Sequence, residues 1–106
     1  MDKRERLPNR RMAQNVTFRA GPPGEEIGYT AILGYYCDGR LGEIFLSSGK
    51  SGSGLLIATN ETAIAASFAL QFGCPPSVMR EAMPRASDGR PEGALGVLLE
   101  LLAAQA

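Results

Sequence analysis

Histidine and tryptophan are absent from this chain. Without an imidazole there is no Ser-His or Cys-His couple, and most zinc arrangements are excluded. Cysteine is scarce: Cys37 and Cys74 lie far apart and belong to no Cys-x-x-Cys pair. Neither has a basic sequence neighbour that would favour a thiolate. Both are therefore read as reduced, structural thiols, and with a charged N-terminal segment in place of a secretory signal the expected setting is cytoplasmic. No apolar run reaches the ~20 residues that span a bilayer, so no membrane association is expected. Glu43, Glu61, Glu81 and Glu100 are scattered, with no paired spacing suited to general acid-base work. These absences leave no catalytic residue, metal site or cofactor to nominate from composition.

Net charge is zero but unevenly placed. Residues 1–11 carry Lys3, Arg4, Arg6, Arg10 and Arg11 against Asp2 and Glu5, a balance of +3, so the remainder is −3. Residues 1–14 read as a flexible basic arm, broken by Pro8. Such an arm can steer toward nucleic acid or serve as a solvated tail, and no basic stripe on the body extends it into a footprint. Residues 15–106 read as one small α+β domain. A chain of 106 residues buries roughly 65% of its unfolded surface, enough for a core of its own.

Val16 and Phe18 alternate with Thr17 and Arg19, predicting a first strand over Asn15–Ala20. Gly21-Pro22-Pro23-Gly24 forces a loop. A second strand is expected over Glu26–Tyr36, with Tyr29, Ala31, Leu33 and Tyr35 on one face and Tyr36 on the other. Asp38-Gly39 marks a hairpin turn into a third strand, Gly42–Ser47. Serine and glycine then open an apolar, alanine-rich helix over Leu55–Phe72, closed by Gly73 and Pro75. Ile57, Ile64, Phe68 and Phe72 share one face of it, and Ala58, Ala63, Ala65, Ala66 and Ala69 keep it slim enough to lie close to a sheet. Ser77 caps a short helix ending before Pro84. A last helix runs over Glu92–Ala104 with Leu95, Leu98, Leu99 and Leu102 inward. No internal repeat stands out. The predicted architecture is an antiparallel three-stranded sheet followed by two or three helices on one face.

Gly49-Lys50-Ser51 resembles the end of a P-loop, but the glycine that pattern requires five residues earlier is Ile44. What survives is a candidate anion contact: the amides of Gly49, Ser51, Gly52 and Ser53 opening onto a helix start beside Lys50, with Arg40 at the hairpin tip as a second contact. The alternative is a plain strand-to-helix connection. Tyr29, Tyr35 and Tyr36 read either as a stacking platform or as half-buried sheet aromatics. Leu98, Leu99, Leu101 and Leu102 make the last helix apolar over more than one face, which hints at a homodimer.

Three stretches together, Arg6–Arg11, the hairpin Gly34–Leu46 and Gly49–Ser53, resemble the TSCPD domain. The helix end Ser67–Pro75 and the closing Gly93–Leu102 fit as well. That domain is found at the C-terminus of adenosylcobalamin-dependent (class II) ribonucleotide reductases and as short stand-alone proteins. The Thr-Ser-Cys-Pro-Asp string that names the domain is missing here, as is a C-terminal cysteine pair. The resemblance implies a non-catalytic accessory module, not an enzyme on its own, that binds a ribonucleotide reductase chain or a nucleotide-like anion. Two other readings stay open. One is a nucleic-acid-associated protein using the arm and tyrosines; the other is a subunit completing a ribonucleoside-diphosphate reductase in trans.

Overall fold

Three strands and three helices follow one another in a computed structural model that describes residues 3–48 and 53–105. Strands β1 (Ala13–Ala20), β2 (Ile27–Tyr35) and β3 (Leu41–Ser48) form an antiparallel sheet in sequence order. Helices α1 (Ser53–Gln71), α2 (Pro76–Ala82) and α3 (Ala94–Ala104) follow. The expected α+β architecture is what the chain adopts.

Period-two alternation decides the faces. Phe18, Ala20, Ala31, Leu33, Ile44 and Leu46 point to one side and are buried. Leu95, Leu98 and Leu99 of α3, Met79 of α2 and Ala63, Ala66 and Leu70 of α1 close over them. Tyr29 and Tyr35 pack at the margin of this core, on the face the alternation assigns them. Phe18 and Tyr29, cross-strand partners, stack with ring centroids 5.6 Å apart. The opposite sheet face, with Thr17, Thr30, Ile32, Phe45 and Ser47, is open to solvent.

The β2–β3 register slips between Gly34, opposite Glu43, and Tyr35, opposite Leu41, which leaves Gly42 as a bulged residue. A Cβ on Gly42 would fall 2.5 Å from the Tyr36 ring, so only glycine fits under it. Gly39, at φ +92°, closes the hairpin.

Helix α1 does not lie flat on the sheet; it runs along the outer edge of β3. The Ser67 hydroxyl accepts from the Ile44 amide at 2.9 Å and donates to the Ile44 carbonyl at 3.0 Å. Gln71 Nε2 donates to the Gly42 carbonyl at 2.9 Å. Two side chains thus answer backbone groups that a fourth strand would otherwise pair. Ala63 and Ala66 make the close approach feasible, as anticipated. The large apolar face of α1 is a different matter: Ile57, Ile64 and Phe68 point into solvent. The helix ends in a Schellman motif, Cys74 N–H to Ala69 C=O and Gly73 N–H to Leu70 C=O, with Gly73 at φ +101°.

Ser77 is not the cap of α2. The helix begins at Pro76, with Pro75 at the N-cap and no capping side chain, because proline's fixed φ already suits the first helical position.

Candidate functional site

A polar cluster gathers where the N-terminal segment meets the hairpin tip. Arg40 donates through both terminal nitrogens to the Glu5 carboxylate, at 2.9 and 2.8 Å, and through Nε to Asp38 at 2.7 Å. Its guanidinium lies 4.6 Å from the centroid of the Tyr36 ring. Tyr36 is buried, and its hydroxyl donates to the Glu5 carbonyl at 2.5 Å. It is therefore part of no exposed stacking platform. The Glu5 amide donates to the Gln71 carbonyl at 2.8 Å, and Arg4 Nε to the Gln71 side chain at 2.5 Å. Gln71 thereby joins three elements: the N-terminal segment, α1 and the edge of β3. Farther along, Arg11 forms a forked pair with Glu43 at 2.9 and 3.2 Å across the open sheet face. The absence of a side chain at Gly34 leaves room for it, since a Cβ there would fall 2.4 Å from Glu43 Oε2.

A second tip repeats the chemistry of the first. At Tyr36–Arg40 the Tyr36 amide donates to the Arg40 carbonyl and the Gly39 amide to the Tyr36 carbonyl, while Asp38 accepts from the Arg40 amide and Nε. At Ala86–Arg90 every one of these bonds recurs: Ala86 to Arg90, Gly89 to Ala86, and Asp88 accepting from the Arg90 amide and Nε. The signal is present in the sequence as the tripeptide Asp-Gly-Arg, at 38–40 and again at 88–90, too short to stand out as a repeat. Arg85 braces the second tip by pairing with Glu100 of α3 and donating to the Gly89 carbonyl at 2.9 Å.

These pairings set the electrostatics. Hydrogen bonds from Arg40 hold the Glu5 carboxyl below its usual range, and the Arg40 backbone and side chain do the same for Asp38. Arg90 lowers Asp88, and Arg85 lowers Glu100. Arg40 is in turn pushed up, first by Glu5 and then by Asp38. Burial raises Tyr35 and Tyr36. Each of the four carboxylates is thus held as an acceptor, the reverse of what a general acid at neutral pH requires. Among the described residues, no group of three His, Cys, Asp or Glu gathers to hold a metal. Cys37 is an exposed thiol and Cys74 a half-buried one, both unpaired. No described helix is long and apolar enough to cross a membrane.

Of the residues anticipated as an anion contact, Gly49, Lys50, Ser51 and Gly52 lie outside the described residues, and Ser53 opens α1. Arg40 and Ser48 sit just before and at the end of β3, up to about 26 Å apart along the strand. One small anion therefore does not bridge Arg40 and the residues next to the loop. An apolar groove of ≈ 820 Å³ lies between α1 and the α2–α3 pair, floored by Tyr29 and Leu46 and walled by Ala65, Ala69, Met79 and Met83.

Three curated proteins match this chain, and all three are reductases of one kind. Vitamin B12-dependent ribonucleotide reductase of Bradyrhizobium diazoefficiens is 41% identical over 75 residues, 71% of this chain and 6% of that protein. The enzyme of Agrobacterium fabrum is 42% identical over 72 residues, 68% of this chain and 5% of its own length. That of Rhodopirellula baltica is 39% identical over 77 residues, 73% of this chain and 7% of its own. The resemblance to B12-dependent ribonucleotide reductases is thus borne out, over a small part of their length. No family model matches the chain. No solved structure matches it.

Proposed function

We propose that this chain is an accessory module of ribonucleotide reduction, a counterpart of the TSCPD domain at the C-terminus of the B12-dependent reductases, and that it works by binding rather than by turnover. The observation that carries this reading is the identity of about two residues in five over some 70% of the chain, confined to 5–7% of each relative. The arginine–carboxylate pairs serve to shape the two tips. The cobalamin in the relatives' names belongs to those proteins. No step is routed through it here. Two unpaired thiols suit a reducing, cytoplasmic setting.

The partner in this reading is a reductase chain, and a nucleotide-like anion is the small ligand. Lys50 and the amides of Gly49, Ser51, Gly52 and Ser53 form the anion contact. Arg40 acts separately, at the far end of β3.

Affinity capture from the host's extract tests the proposal, comparing the wild-type chain with Lys50→Ala and Arg40→Ala variants. Recovery of a B12-dependent reductase with the wild type, and at least several-fold less with Lys50→Ala, is the expected result. Recovery of no reductase, or equal recovery with both variants, overturns it.

A further inference from the structure

Ile57 and Ile64 on α1 are 57 and 58% exposed, Phe68 43%, and on the open sheet face Phe45 is 54% and Ile32 45%. These residues share one side of the molecule. Ser67 points at the edge of β3; Ile64 and Phe68 lie about 60° and 100° farther round the helix, away from Ala63 and Ala66. Phe45 leaves β3 on the side opposite the core and is the cross-strand neighbour of Ile32. Together the five expose on the order of 500 Å² of apolar side chain, as much as the largest patch on a typical monomer.

From this surface we infer that the chain forms a two-fold dimer through α1. A two-fold interface needs a surface complementary to itself, and the charges here have that property. Glu61 is the one charged residue of α1 and has no ion-pair partner among the described residues. Arg4 lies 4.5 Å over the Phe68 ring, held by Gln71, with no described carboxylate in ion-pair range. Antiparallel helices centred on Ile64 set that residue against its own copy. They also bring Glu61 of each chain beside Phe68 and Arg4 of the other. Fully covered, two such faces bury on the order of 1,000 Å² of apolar surface, the lower limit for a specific interface, and a polar rim adds to it. The α3 surface that the leucine pattern suggested is a weaker candidate: Leu98 and Leu99 are buried in the core, and Leu101 stands exposed alone.

Light scattering coupled to size exclusion, with the purified chain over a wide concentration range, tests the dimer. No reductase is present, so the result is independent of the accessory reading. The wild type is expected to dimerise, and Ile64→Glu, at an exposed position, to stay monomeric with an unchanged circular-dichroism melt. Arg4→Glu is expected to weaken association by roughly tenfold or more through like-charge contact with Glu61, and adding Glu61→Arg to restore it. A wild type that is monomeric throughout, a dimer that survives Ile64→Glu, or a double variant no better than Arg4→Glu alone overturns the inference.

Discussion

Gly42 shows how much one missing side chain decides. It is the bulged residue of β3, and its Cα faces the Tyr36 ring and Leu7 of the N-terminal segment; a Cβ would stand 2.5 Å from Tyr36 Cε2 and 3.0 Å from Leu7 Cδ2. The aromatic ring is held by its hydroxyl bond to Glu5 and has little room to yield. Gly42→Ala should therefore cost about 2 kcal/mol by overpacking, seen as a melting temperature lower by roughly 10 °C. Gly39→Ala, strained by its φ of +92° yet free of neighbours, makes a useful contrast: its cost comes from the backbone alone. At this scale the sequence told part of the story. Asp38-Gly39 was readable as a turn because glycine's freedom is a local property. The role of Arg40 was not, since an exposed arginine at a tip looks the same whether or not Glu5, 35 residues earlier, reaches back to it.

Among the elements, α1 is the most instructive. Its ends were legible from Ser, Gly and Pro punctuation to within two residues, and so was the use of its alanines. Its orientation was not. Apolar size suggested Ile57, Ile64 and Phe68 as a coherent face, but the surface α1 meets is the backbone edge of a strand. That surface selects small residues and hydrogen-bonding side chains, namely Ala63, Ala66, Ser67 and Gln71, over bulky ones. Ser67→Ala should leave the buried Ile44 amide and carbonyl without partners, at a cost of about 1–3 kcal/mol. Urea unfolding measures that loss. Hydrogen exchange localises it, with faster exchange expected at the Ile44 amide and little change at Leu33 in the centre of the sheet.

At the level of the whole molecule, the arginine-carboxylate pairs give stability a one-sided pH dependence. Glu5 and Glu100 titrate below their ordinary 4.5, and Asp38 and Asp88 below their ordinary 3.8. The unfolded chain therefore binds more protons through this range, so stability is fully present above about 4.5 and is lost as pH falls through the lowered values. With no histidine in the chain, no imidazole titrates between, and melting temperature should be level from pH 6 to 7. Because these pairs are exposed, the acid loss should be shallow and should shrink further in high salt. Thermal melts across that range check both. The order of the elements also has a consequence for how the chain is made. Ser67 lies 23 residues after Ile44, whose edge it covers. At synthesis rates of about 5–20 residues per second, Ile44-Phe45-Leu46 leaves the ribosome roughly 1–5 seconds before its cover does. For that interval the nascent hairpin offers an unpaired backbone edge, the kind of surface on which another strand can dock.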